Sequence, residues 1–303
     1  MLEIKIEAEN GLYHTRVSEQ ELRDLVRGIG GVRDRFLVVQ RIPDRPGFFV
    51  QTWHEHGGSY QFECRSGTAV THVRADLDSP DLVADAMARW ARQEPEWDAG
   101  IEWESAGMSA EEPAPELDDE IRGELEEEIR LALRGGYDTV ATLTETAEER
   151  LAEKSAGPVG AAQARQLVER LWLERVEEQE RWTDVTGADR LERAFAALEE
   201  GGITAREHFA CCRSCGVGEI HADGRADARG FVFFHAQSTE WAVKTGGLTL
   251  YYGGFDESEE TTAAVGREVV AGLRAAGLAV EWNGAPDRAI EVPEIDWRKR
   301  LIG

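Results

Sequence analysis

Between Glu104 and Leu117 the chain turns acidic, loses hydrophobic periodicity and carries Pro113 and Pro115, the composition of a linker. Apolar residues on its two sides are therefore expected to build separate cores, and 303 residues are enough for two or three domains. The periodicity differs on the two sides. Before the break it is strand-like, with short apolar runs set between glycines and prolines. After it, apolar residues first recur every three or four positions, as a helix face requires. The expected fold is α+β: a small antiparallel sheet-and-helix domain over 1–106, a linker over 107–117, and a helical subdomain over 118–202. That subdomain leads into a second small α/β sandwich over 203–303.

In the first segment, Ile4, Ile6 and Tyr13 to Val17 read as strands. Ser18 followed three residues later by Glu21 predicts a capped helix that buries Leu22, Leu25 and Val26 and stops at Gly28. Phe36 to Val39, Phe48 to Val50 and Tyr60 to Cys64 predict an antiparallel meander, and Ser79-Pro80-Asp81 opens a second helix. Past the linker, helices are expected over Asp118 to Gly135, Thr142 to Lys154 and Gly160 to Trp182, with a fourth ending at Gly201-Gly202. Glu207 to Cys212 reads as extended, Phe231 to Phe234 and Leu248 to Tyr252 as strands, and Thr261 to Ala276 as a helix. Leu278 to Trp282 reads as a further strand, turned by Asn283-Gly284.

The net charge of −25 argues against binding nucleic acid or an anionic membrane, and suits a basic protein partner. No apolar run approaches a membrane span, and the first residues lack the form of a signal peptide, so a cytoplasmic location is expected.

Three of the four cysteines fall in Cys211-Cys212-Arg213-Ser214-Cys215-Gly216. A C-x-x-C turn followed by glycine forms half of a zinc knuckle, with the glycine expected to let the backbone bend around the ion. No second C-x-x-C completes it, so the remaining ligands would come from Cys211, His208, His221, His235 or Glu240. The expected set is Cys211, Cys212, Cys215 and His235 around a structural Zn²⁺; His235 is chosen because it ends an apolar strand. Neighbouring strand residues point to opposite faces, so Cys211 and Cys212 can share an ion only if a turn begins there. The competing reading is three reduced cysteines packed at a sheet end. A redox role is disfavoured, because that chemistry wants the pair at a helix N-terminus and the sequence reads here as strand and turn. His54 and His56, beside Gly57-Gly58, read as an exposed hairpin tip, and Cys64 as structural.

The second half carries, in order, Gly135-Gly136-Tyr137-Asp138, Asp189-Arg190-Leu191 leading into Ala194-Phe195, Phe209-Ala210-Cys211-Cys212-Arg213-Ser214-Cys215-Gly216, Phe233 to Glu240 and Glu281-Trp282-Asn283-Gly284. On these motifs it resembles an uncharacterised actinobacterial domain family. The resemblance implies domain limits and no mechanism. The first domain resembles small α+β domains found in bacterial immunity-type and hypothetical proteins. The expected function is a non-enzymatic binding or regulatory protein stapled by zinc. The alternatives are a zinc-dependent hydrolase, with Cys212, Cys215 and His235 as ligands and Glu240 as general base, and an immunity-type inhibitor of a basic toxin.

Overall fold

A computed structural model describes residues 1–110, 114–153 and 160–302. Pro113 of the expected linker and Lys154 at the expected end of the second post-linker helix lie outside the described residues. Two compact units emerge, and the fold is α+β as the sequence predicts. The first comprises Met1–Leu117, Thr139–Val176 and Leu301–Gly303; the second comprises Asp118–Asp138 and Glu177–Arg300.

The first unit is built on strands β1 (Ile4–Ala8) and β2 (Tyr13–Thr15), helix α1 (Glu19–Gly28), then β3 (Phe36–Arg41), β4 (Phe48–His54), β5 (Tyr60–Ser66), β6 (Val73–Leu77), helix α2 (Pro80–Ala91) and the short β7 (Glu104–Ser105). The sheet order is β2-β1-β3-β4-β5-β6-β7, every pair antiparallel. Period-two alternation sends Ile4, Ile6, Leu37, Val39, Val50, Phe62 and Cys64 to one face, where they meet Leu22 and Val26 of α1 and Val83, Met87 and Trp90 of α2. Ser18 caps α1 by accepting the N–H of Glu21, while the Glu21 carboxylate lies 3.5 Å from His14. Ser79 caps α2, with Pro80 in its first turn. His54 departs from the expected exposed tip: it is buried and stacked on Tyr60 at 3.9 Å, whereas His56 is exposed. The meander runs through His54 before turning, which carries that ring into the core face.

Helices α3 (Asp119–Gly135), α4 (Val140–Glu153) and α5 (Gly160–Gln179) follow, with α3 in the second unit and α4 and most of α5 in the first. Trp172 of α5 is fully buried and donates its indole N–H to the Asp44 carbonyl at 2.8 Å, close to the buried Lys5–Asp44 pair.

The second unit adds α6 (Gly187–Glu200), β8 (Ile203–Arg206), α7 (Arg213–Asp223), β9 (Gly230–Phe233), α8 (Ala236–Thr245), β10 (Leu248–Gly254), α9 (Glu259–Ala275) and β11 (Ile290–Val292). The order is β11-β10-β9-β8, with β8 and β9 parallel and the other pairs antiparallel. Parallel neighbours need a crossover, and α7 supplies it. Val232 and Phe234 join Leu191, Phe195 and Leu198 of α6 and Val265, Val269 and Leu273 of α9 in the larger core. Phe231 and Phe233 point the other way and pack with Ile220 of α7. The expected strand over Leu278 to Trp282 does not form; Glu281 alone makes a bridge, to Glu291, and the edge strand is β11. The stretch from Glu207 to Cys212 is a bent loop beyond β8, not an extended strand. No described helix is long and apolar enough to cross a membrane.

Candidate metal centre

The loop leaving β8 reverses sharply, with His208 at φ +51 and Ala210 at φ +60, the left-handed region that side-chain-bearing residues seldom enter. Two backbone bonds pin it to the chain running from β9 into α8: Phe209 N–H donates to Phe234 O at 2.8 Å, and Ala236 N–H donates to Ala210 O at 3.1 Å. This is the turn that Cys211 and Cys212 need in order to face one point. Cys212 is the N-cap of α7 and Cys215 lies in the helix's first turn. The Sγ atoms of Cys211, Cys212 and Cys215 lie within 4.8 Å of one another, with Cys211 and Cys215 at 3.5 Å. None of the three is buried.

The C-x-x-C pair therefore sits at a helix N-terminus, contrary to the expectation of strand and turn. That position brings unsatisfied backbone N–H groups and the positive end of the helix dipole to the thiols. The Cys212 thiol is lowered from its ordinary range, chiefly by the backbone N–H of Cys215 and then by the neighbouring thiols. Cys215 is pushed up to about 11, because a proton on it is held by hydrogen bonding to Cys211 and Cys212. The Cys212 thiol therefore gives up its proton before Cys215 does.

Gly216 has another role than the one expected. It is helical, and a Cβ there would lie 2.4 Å from the Phe233 ring, so its missing side chain lets α7 lie close against β9. Sequence reasoning missed α7 because Gly216 and Gly218 weaken helix propensity and Ile220 is its single large buried apolar side chain.

His235 is left out of the thiol group. It is buried, caps α8 by accepting the Ser238 N–H at Nδ1 (3.2 Å), and stacks on Tyr251 with centroids 5.3 Å apart. Arg213, between the two cysteines of the motif, lies over the same Tyr251 ring at 5.1 Å. His208 directs Nδ1 to the Thr239 hydroxyl at 2.9 Å and stacks on Tyr137. His221 meets Phe231 and Phe255 edge-on. Glu240 is exposed on α8, 3.7 Å from Lys244.

A polar cluster beyond β8 was not anticipated. Glu207 Oε2 accepts from the Tyr137 hydroxyl at 2.7 Å and from Lys299 Nζ at 2.6 Å, and Lys299 also reaches Glu192 at 3.3 Å. Burial, reinforced by Glu207, pushes the Tyr137 phenol well above its ordinary range. Burial works against the charge of Lys299, yet Glu207 and Glu192 more than offset it and its pKa is raised. The Gly135-Gly136-Tyr137 signature offered a trace of this: Gly136 turns at φ +83 with the Lys299 side chain packed where its Cβ would stand. In the first unit, Glu63 in the cleft with Phe36 and Trp53 is already bonded by Gln51, Gln61 and His72, which leaves little of its carboxylate free.

Fold and site together define an α+β protein whose second unit carries a surface thiol cluster at the start of a crossover helix. The family model for a domain of unknown function, DUF6891, matches residues 118–301, and the chain belongs to that family. Comparison with curated proteins and with solved structures returns no match.

Proposed function

We propose that the second unit is a non-enzymatic binding module in which Cys211, Cys212 and Cys215 hold one thiophilic metal ion. The observation that carries this reading is the convergence of the three Sγ atoms within 4.8 Å of one another. Thiolates at that spacing can bond one ion, and the sequence motif names zinc as the first ion to test. The net charge of −25 supports a basic protein partner, drawn by long-range attraction. The hydrolase alternative is not favoured, because neither His235 nor Glu240 belongs to the thiol group. The test is elemental analysis of untagged protein purified without chelators. About one ion per chain, lost in the Cys212→Ser, Cys215→Ser double variant, supports the reading; metal-free protein that takes up neither zinc nor any other added thiophilic ion contradicts it.

A second reading is favoured by one observation. Cys212 at the N-cap of α7 has the placement used by dithiol redox pairs. In that reading the Cys212 thiolate attacks a partner's disulfide and releases one partner thiol. Cys215 then attacks the mixed disulfide, so the protein ends oxidised and the partner reduced. Mass spectrometry after exposure to oxidised glutathione tests it. A Cys212–Cys215 disulfide supports redox use, and stable free thiols count against it.

A further inference from the structure

We infer that the thiol cluster is an open, three-coordinate site for a soft monovalent ion with the chemistry of copper(I), rather than a closed structural zinc knot; this rests on the metal-binding reading above. The argument begins with locality. All three ligands fall within the five residues 211–215, so an ion there would close only a minute loop. Cross-links stabilise in proportion to the logarithm of the loop they close, and this one removes little chain entropy. The segment is also held without metal. Phe209 and Ala210 are bonded to the end of β9 and the start of α8, the Gly216 N–H donates to Cys212 O at 3.0 Å, and Gly216 lies against Phe233. A structural staple has nothing left to hold.

The donor set gives the second argument. A closed zinc site needs four protein ligands in a tetrahedron. Among the described residues the group contains three thiols and no histidine or carboxylate. His235, whose Nδ1 caps α8, and His208, whose Nδ1 meets Thr239, both stand outside that group. Three soft thiolates suit a thiophilic ion, and a set of three matches a three-coordinate ion such as copper(I) better than tetrahedral structural zinc. The negative charge left on the thiolates faces the N-terminus of α7, where exposed backbone N–H groups stabilise it.

Access is the third. Cys211 and Cys215 are exposed and Cys212 is only partly covered, so an incoming thiol can bond the ion before the old ligands leave. The site is built to exchange its ion.

The test uses the full chain, reduced and metal-free. Copper(I) is titrated anaerobically against the chromogenic chelator bicinchoninate, and zinc against a zinc indicator in a parallel series. The expected result is about one copper(I) per chain withheld from the chelator, with each of Cys211→Ser, Cys212→Ser and Cys215→Ser weakening it at least tenfold, roughly 1.4 kcal/mol or more. X-ray absorption of the loaded protein is expected to show three sulfur neighbours. Thermal unfolding of the metal-free variants checks that each remains folded. Zinc held in preference to copper(I), with four ligands and loss on His235→Ala, overturns the inference while leaving metal binding intact. Failure to hold either ion overturns the metal-binding reading itself.

Discussion

Gly216 of α7 lies so close to Phe233 of β9 that a Cβ would stand 2.4 Å from the ring. The glycine after the C-x-x-C motif thus sets the distance between the crossover helix and its sheet, and through that distance the position of the thiols at the helix start. Gly216→Ala is expected to destabilise the second unit by about 1–3 kcal/mol, the usual range for forcing extra volume into a packed contact. It should also weaken metal retention, because α7 must shift as a body. Denaturant unfolding with a metal titration checks both; unchanged stability would mean that the Phe233 ring gives way freely.

The Tyr137 hydroxyl donates to a carboxylate that also takes the Lys299 ammonium. Tyr137→Phe removes one hydrogen bond to a charged acceptor and is expected to cost about 1.5–3 kcal/mol. Lys299→Met removes the partner of a half-buried carboxylate and should cost more, about 3–5 kcal/mol. Equilibrium unfolding of the two variants tests the order; Lys299→Met as mild as a surface substitution would contradict it.

His208 is held below its ordinary pKa of 6.5 by burial, against the opposing charges of Asp138, Glu240 and Glu207. As pH falls through about 6.5, the unfolded chain therefore takes its proton first, and stability declines until the folded group also protonates. His235 carries the same sign for the same first cause. Unfolding midpoints at about pH 7.5 and about pH 5.5 should differ less in His208→Gln than in the wild type. An identical pH slope would show that His208 does not contribute.

Trp172 is fully buried and bonded to the Asp44 carbonyl. Trp172→Ala should cost about 3–5 kcal/mol, while Trp172→Phe, which loses the indole donor and some volume, should cost less. Thermal unfolding separates the two, and equal losses would mean that the hydrogen bond, not the packing, dominates.

Much of the first unit was legible because its signals are local. Ser18 and Ser79-Pro80 mark helix starts, and the apolar runs at Phe36, Phe48 and Tyr60 are short and set between prolines and glycines, as strands of a meander are. His54 was misplaced because the sequence does not show where strand β4 yields to its turn. In the second unit, α7 and α8 escaped notice because each buries few large apolar side chains: Ile220 in α7, and Ala242 with Ser238 and Thr239 in α8. Their starts were hidden too, since Cys212 and His235 occupy the N-cap positions where serine or aspartate is usual. The cysteines themselves were legible from spacing. Their grouping without His235 was not, because it depends on how that ring turns back to cap its own helix.

The central claim is that Cys211, Cys212 and Cys215 act together on one ion. The most direct measurement is the metal-to-protein ratio of untagged wild type and of the three single cysteine-to-serine variants, reconstituted identically and freed of loosely bound ions. The account predicts about one ion per wild-type chain and a clear loss in every variant, Cys211→Ser included. Full retention in Cys211→Ser, or no ion in the wild type, would contradict it.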